Sequence, residues 1–317
     1  MYKCLAYTAA QATFYDDGVG ADTNLLYHLI AGAFGKGLFR KIKDGYTAIA
    51  HVYDPNDSIY IFGFSRGAYT ARCLAGMIAI CGLPTKGFDQ NLVDVAFQAY
   101  RDKAQRAQLL NSLAAYGLFD AQITCLGVWD TVGELGIPFD PFGIDNKLYG
   151  FLDTNLHRDV HNAFQALAID ERRREFPPTL WTPPFPAGRT IDQVWFAGDH
   201  SDVGGGYGGL SDITLGWVLN KALGCEPGDP LELIETAESP CPYRSVNAKN
   251  ALAPIHDEWS PIWGFPKVRS IAQGSIVANS VELRVEHAQT YRPSNLKLNG
   301  STLDGTYGIE TVVSPDV

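Results

Sequence analysis

The sequence contains no uninterrupted run of 18 apolar residues, which excludes a classical membrane-spanning helix. Its first residues lack the long apolar core of a signal peptide, so no cleavable leader is expected. Basic residues are also few, with 25 lysines and arginines against 35 acidic residues, and a nucleic-acid partner is therefore not expected. Together these absences predict a cytoplasmic protein, or one exported without a cleavable signal peptide.

Metal and cofactor motifs are lacking as well. The six cysteines form no C-x-x-C pair and no zinc spacing, so reduced thiols are expected. His157 and His161 lie four apart on a predicted helix, but the glutamate of the zincin pattern is missing between them. No G-x-G-x-x-G follows the first predicted strand, which disfavours a dinucleotide-binding domain. We expect neither a metal nor an organic cofactor.

What the 317 residues do contain is a large apolar fraction, 46%, which is enough for the core of one sizeable domain. The first eighty residues alternate between strand and helix patterns, as in a parallel sheet. The predicted fold is an α/β-hydrolase-like domain, with a mostly parallel sheet, helices on both faces, and loop-rich insertions around 134–154 and 225–265. Strands are predicted at 11–15, 59–62, 123–129 and 191–198, and helices at 24–33, 38–53, 91–115, 160–169 and 213–223, with a further helix that begins at 68 and ends near 82.

The most informative segment runs from an apolar strand into Gly63-x-Ser65-x-Gly67 and on into a helix. In serine hydrolases this pattern forms the nucleophile elbow, a tight turn that lifts the serine hydroxyl clear of the backbone. The N-terminus of the following helix offers backbone N–H groups to a developing oxyanion. The segment predicts Ser65 as a nucleophile and the Arg66 N–H as an oxyanion donor. The structural alternative is an ordinary strand–turn–helix whose glycines only allow close packing.

Two aspartates also stand at the ends of predicted strands, among glycines. Asp130 follows the strand at 123–129, and Asp202 follows the strand at 191–198. Because parallel strands share one carboxyl edge, we expect both side chains near Ser65. A serine nucleophile needs a base, and the base needs an acid that fixes its tautomer. The sequence favours Asp202 as this acid, with Asp130 as the rival, and a capping role is the structural alternative for either.

The sequence contains seven histidines, and one of them is expected to be the base that activates Ser65. The order Ser, acid, His found in α/β hydrolases favours a histidine that follows Asp202. His256 meets this condition, in a loop 54 positions beyond Asp202, and His287 is a second choice. His200 is kept as a further alternative, although it lies only two residues from Asp202 and would not easily serve it.

Three motifs in the same order resemble those of one known family. They are Phe62–Arg72, Gly127–Gly133 and His200–Tyr207, and the segments Tyr15–Gly20 and Tyr291–Leu296 resemble its pattern too. The family is the α/β-hydrolase-like domain, formerly of unknown function, that includes the type VI secretion phospholipase effectors. The resemblance covers nearly the whole chain.

This resemblance implies a Ser–Asp–His triad and hydrolysis of lipid esters. Carried onto this sequence, it makes Ser65 the nucleophile, Asp202 the acid and His256 the base. The pair His256–Asp257 matches a His-Asp-Ser element of the family, with Glu258 in place of the serine. The expected protein is a serine esterase of lipase or phospholipase type that acts on an ester or lipid substrate.

Two departures from the family pattern define an alternative function. The strand and Asp-Gly-Thr loop that usually open the family, placed to supply a second oxyanion donor, are expected to be absent here. Ala278 stands where many relatives carry a histidine. The alternative is a catalytically impaired hydrolase scaffold that acts as a binding module. The proline-rich and aromatic segments at 134–154 and 176–186 could form a rim for peripheral membrane contact, with buried packing the favoured interpretation.

Overall fold

A six-stranded parallel sheet forms the centre of the protein in a computed structural model. The structure describes residues 1–17, 33–84, 89–132, 155–226, 228, 231–234 and 246–314. Numbered along this part of the chain, the strands are β1 Ile59–Phe64, β2 Leu83–Pro84, β3 Leu118–Phe119, β4 Ile123–Trp129, β5 Val160–Ala168, β6 Thr190–Phe196, β7 Ile276–Ala278, β8 Leu298–Asn299, β9 Thr302–Leu303 and β10 Gly308–Glu310.

Helices connect β1 to β4, β6 to β7 and β7 to β10, whereas the segment between β5 and β6 contains no helix. The α-helices are α1 Ala33–Val52, α2 Arg66–Cys81, α3 Gln90–Arg101, α4 Arg106–Leu113, α5 His200–Gly204, α6 Leu210–Leu223, α7 Ala248–Ala251 and α8 Asn279–His287. Short 3₁₀ helices lie at Tyr2–Cys4, Ala114–Tyr116 and Pro261–Trp263. Within the described residues, no helix has the length and apolar character needed to cross a bilayer.

The order of the strands in the central sheet is β1-β4-β5-β6-β7-β10, and every neighbouring pair in it is parallel. Side chains alternate between its two faces, as the pleat requires. Ile59 and Ile61 pack into the core beneath α1, α2 and α3, whereas Tyr60, Phe62 and Phe64 pack into the core beneath α6 and α8. The predicted sheet with helices on both faces is confirmed.

The predicted helix over 160–169 is wrong, because this segment is the strand β5, between β4 and β6. Its apolar residues are buried on both faces, and a short run of that kind does not distinguish a strand from a helix. The polar Gln165 is tolerated in the core because its amide hydrogen-bonds Thr131 and Gln193. His161 therefore lies on a strand, near the Gln122 side chain at 3.1 Å, and not on a helix with His157.

Other elements differ more modestly from the prediction. Residues 11–15 form no strand, and the predicted helix 91–115 is divided by a turn before Arg106. The insertion at 134–154 and all but the last residue of the predicted helix 24–33 lie outside the described residues. Four cysteines are free thiols, but Cys4 is disulfide-bonded, so the expectation of reduced thiols throughout is wrong.

Candidate active site

Ser65 occupies a strained turn between β1 and α2. Its backbone angles, φ 57° and ψ −121°, lie in a region that few residues other than glycine adopt. A Cβ atom on Gly63 would lie 2.3 Å from the Gly67 carbonyl oxygen, so only glycine fits at this crossing. The Ser65 N–H donates to the Trp129 carbonyl at 2.9 Å and ties the turn to the end of β4. The local geometry is that of a nucleophile elbow.

Asp130 lies beside this turn because β4 is the neighbour of β1, with Trp129 in register with Phe64. It too has a positive φ, 41°, and its carboxylate is fully buried. Its N–H donates to the Ala166 carbonyl at 2.7 Å, and Oδ1 accepts the Ala168 N–H at 3.1 Å. Asp130 is thus held between the ends of three adjacent strands.

His200, the first residue of α5, joins Ser65 to Asp130. Its Nδ1 lies 2.6 Å from Asp130 Oδ2, and its Nε2 lies 2.7 Å from Ser65 Oγ. An ionised carboxylate only accepts, so Nδ1–H donates to Asp130 and Nε2 is left to accept the serine hydroxyl proton. The rings of Phe64 and Phe176 lie 4.6 and 5.1 Å from the imidazole and shield it from water.

Arg269 completes this arrangement from a distant part of the chain. Its Nη1 and Nη2 donate to the two Asp130 oxygens at 2.6 and 2.8 Å, a bidentate pair, and also to the carbonyls of Ala168 and Phe176. Burial alone would raise the pKa of Asp130, but the Arg269 guanidinium and the hydrogen bond from His200 hold it well below its usual value. The Asp130 carboxylate is therefore ionised beside the imidazole.

A second histidine–aspartate pair lies on the opposite side of α5. Asp202 comes two residues after His200, about 200° around the helix, so the two side chains point apart. Asp202 Oδ1 lies 2.6 Å from His256 Nδ1, and Oδ2 accepts the backbone N–H groups of His256 and Asp199. The His256 ring stacks on Tyr207 at 3.6 Å. This pair fastens the loop that carries His256 to the start of α5.

The structure therefore distributes the predicted site residues differently from the sequence analysis. Among the described residues, the only histidine hydrogen-bonded to Ser65 is His200, not His256, and the acid behind it is Asp130, not Asp202. The objection to His200, that it is too close to Asp202, loses its force because Asp202 is not its partner. His287 is exposed at the end of α8, 4.0 Å from Glu286. Arg66, as expected, opens α2.

One group of carboxylates near α5 has the geometry of a potential cation site. Oxygen atoms of Glu171, Asp199 and Glu258 lie within 4.8 Å of one another. Arg173 already pairs with Glu171 at 2.7 Å and with Glu258 at 2.8 Å, so the group is best described as an ion-pair network. Burial is the main cause that raises the pKa of Asp199, to about 7. Asp199 also caps α5 by accepting the Ser201 N–H.

A groove of about 1320 Å³ runs along the β1 edge of the sheet. Its walls include Phe62, Phe64 and Trp129 from the sheet, the glycine-rich turn Gly204–Gly206 and the N-terminal segment. Gly204 is packed so closely that a Cβ there would overlap the Phe64 ring. The groove reaches Gly63 and Phe64, the two residues before Ser65.

A parallel sheet, a strained serine between strand and helix, and a hydrogen-bonded Ser–His–Asp series are features found together in α/β serine hydrolases. The family model described as "T6SS, Phospholipase effector Tle1-like, catalytic domain" matches residues 1–221. The chain belongs to this family, which is one of lipase-type hydrolases.

One curated protein and two solved structures are similar to this chain. The uncharacterized protein YEL023C of Saccharomyces cerevisiae is 28% identical over 200 residues, which cover 56% of this chain and 28% of the yeast protein. A structure of the Tle1 effector bound to the VgrG spike from the type 6 secretion system has 21% identity and a TM-score of 0.31, covering 54% of this chain and 31% of that one. An uncharacterized protein from Pseudomonas aeruginosa has 22% identity and a TM-score of 0.38, covering 71% and 33%. The chain thus spans about a third or less of the length of each.

Proposed function

We propose that this chain is a serine hydrolase of carboxylic esters, with Ser65 as nucleophile, His200 as general base and Asp130 as the acid that orients the base. The observation that carries the proposal is the continuous hydrogen bonding from Ser65 Oγ through the His200 imidazole to Asp130, at 2.7 and 2.6 Å. The order of the three residues along the chain, Ser, Asp, His, is that of α/β hydrolases.

The proposed reaction begins when Ser65 Oγ attacks the ester carbonyl and its proton passes to His200 Nε2. The imidazolium that forms is stabilised by Asp130, whose charge is itself fixed by Arg269. The Arg66 N–H, at the N-terminus of α2, is proposed to stabilise the oxyanion. His200 then protonates the leaving alcohol, and water attacks the acyl-enzyme by the same route. In this scheme Asp202 and His256 hold the loop and take no proton.

The substrate class is proposed to be a lipid ester. Family membership supports it, because the matching family model is that of phospholipase effectors. The groove beside Phe64 has both polar and apolar walls, and its aromatic part at Phe62, Phe64 and Trp129 is a surface on which an acyl chain could lie. Delivery by a secretion machine, which would need no cleavable signal, is a proposal that comes from the family description alone. The test of the lipid proposal is hydrolysis of phospholipid vesicles, followed by release of free fatty acid.

Replacement of the nucleophile is the direct test of the reaction. Ser65→Ala should lower kcat for a soluble p-nitrophenyl ester by about 10⁴-fold or more, with an unchanged melting temperature. Ser301→Ala, which removes an exposed hydroxyl in the turn between β8 and β9, is the matched control and should keep full activity. Equal turnover by the Ser65→Ala variant would rule out the assignment. A wild-type protein with no turnover of any ester would favour the impaired scaffold.

A further inference from the structure

An exposed apolar loop adjoins the candidate active site. The segment Trp259–Val268, here named the tip loop, contains the short 3₁₀ helix Pro261–Trp263. Phe265 is 92% exposed and Ile262 is 75% exposed, and they are among the most exposed large apolar side chains that the structure describes. Two such side chains on one short loop are costly to leave in water, and apolar patches of this kind mark surfaces that bind something.

The base of the tip loop is firmly attached to the rest of the protein. The Lys267 N–H donates to the Arg172 carbonyl at 2.8 Å, and within the loop the Trp259 indole N–H donates to the Gly264 carbonyl at 3.1 Å. Directly after the loop, Arg269 forms the bidentate pair with Asp130. The loop is therefore a fixed projection, and its exposed side chains do not fold back onto the protein.

The loop also contacts the candidate catalytic histidine through two aromatic rings. The Trp263 ring lies edge-on to Phe176 at 5.6 Å, and Phe176 lies edge-on to His200 at 5.1 Å. Arg173 stacks over Phe176 at 3.9 Å on the same side. A surface bound by Ile262 and Phe265 would consequently lie on the same side of the protein as Phe176, which packs against His200.

The charges around the tip loop differ from those of the chain as a whole. The chain has a net charge of −10, yet the 23 residues 259–281 contain no aspartate or glutamate. Lys267, on the loop itself, is exposed, as is Arg174, which follows Arg173 in the sequence. The acidic residues just before the loop are paired with arginines, Asp257 with Arg172 and Glu258 with Arg173, which it shares with Glu171. An apolar tip with exposed cations at its margin is complementary to an anionic lipid surface.

We propose that the tip loop docks the protein onto the surface of an anionic phospholipid bilayer, with Ile262 and Phe265 inserted among the acyl chains. Trp259 and Trp263, which are half-buried at the base of the loop, would lie at the level of the headgroups, where indole rings are favoured. Lys267 and Arg174 would contact lipid phosphates. The proposal rests on the proposed function, because it supplies the lipid substrate to the same site.

The test measures binding in the Ser65→Ala variant, so that no lipid is consumed. Flotation with vesicles of phosphatidylcholine containing about 30% phosphatidylglycerol should recover the protein with the vesicles, and tryptophan emission should shift to shorter wavelength. Adding Ile262→Ser and Phe265→Ser should weaken vesicle binding at least about 10-fold, with an unchanged melting temperature. Lys267→Glu should weaken binding to these vesicles more than to pure phosphatidylcholine.

The matched control is Ile309→Ser, which removes an exposed apolar side chain on the strand β10, outside both the tip loop and the groove, and should leave binding unchanged. Absence of vesicle binding, or equal binding by the double tip-loop variant, would overturn the proposal. A dimer that Phe265→Ser dissociates would overturn it as well, because the loop would then bind a second copy. Because binding is measured without Ser65, a protein that binds vesicles but hydrolyses no ester would refute the proposed function alone.

Discussion

The two histidine–aspartate pairs on either side of α5 are nearly identical in their central contact. In each, an imidazole Nδ1 lies 2.6 Å from the oxygen of a fully buried aspartate. They differ in the exposure of the imidazole and in the partner of its other nitrogen, Nε2. The His200 side chain is 5% exposed and its Nε2 contacts Ser65, whereas the His256 side chain is 37% exposed and its Nε2 finds no hydrogen-bond partner among the described residues.

The aspartates are also stabilised by different groups. Asp130 is held by the Arg269 guanidinium, and Asp202 is held by two backbone N–H groups. A buried ion pair fixes the charge behind a reacting imidazole, whereas backbone donors fix the position of a loop. The difference teaches that a short His–Asp contact does not by itself identify a catalytic base. The group on the other ring nitrogen and the source of the aspartate's charge are more informative.

The largest effect is expected from the acid of each pair. Asp130→Asn should lower kcat for a soluble ester by about 10³–10⁴-fold, because the amide no longer fixes the tautomer or stabilises the imidazolium. Asp202→Asn should lower the melting temperature but change kcat of the folded protein less than about 10-fold. Steady-state kinetics with circular dichroism on both variants would check this. The reverse ranking of the two kcat values would make Asp202 the catalytic acid.

A second comparison concerns the arginines near each pair. Arg269 and Arg284 are similarly buried, but Arg269 pairs with Asp130, whereas Arg284 donates to the carbonyls of Ala251 and Ala253. Arg269→Gln should lower the free energy of unfolding by about 3–5 kcal/mol, since it leaves a buried carboxylate without its cation. Arg284→Gln should cost about 1–3 kcal/mol. Urea unfolding at pH 7 would measure both, and equal losses would contradict the ion pair's special role.

The smallest effect involves Asp199, the cap of the helix that carries both pairs. Because burial raises its pKa to about 7, the folded state holds this proton more tightly than the unfolded state. Stability is therefore lost as the pH rises from about 4 to about 7. Asp199→Asn keeps a capping oxygen without the charge, so its stability relative to wild type should increase over that window. Thermal unfolding at several pH values would show this, and a difference independent of pH would refute it.

Local signals in the sequence were sufficient for part of the site. The turn at Ser65 was predictable because its strand, glycines and helix are contiguous. The strands that end near Asp130 and Asp202 were likewise predictable, because each is an apolar run that ends close to glycines. The geometry expected of the elbow is present, while the catalytic role of Ser65 stays a prediction.

The pairing of acid and base was not predictable, because it depends on the order of strands in the sheet. β4 is the neighbour of β1, so Asp130 lies beside Ser65, whereas Asp202 lies on the side of α5 opposite His200 and contacts His256. Because the segment of β5 was predicted to be a helix, the strand order could not be derived from the sequence. Arg269 had no sequence signal at all, since a bidentate partner 139 positions from Asp130 is defined only by the fold.

The central claim is that His200, and not His256, activates Ser65. Labelling with a fluorophosphonate probe, followed by mass spectrometry of the peptide that contains Ser65, tests this directly in the two histidine variants. The account predicts that wild type and His256→Ala are labelled at Ser65 and that His200→Ala is not. Labelling that survives in His200→Ala and disappears in a folded His256→Ala would contradict it.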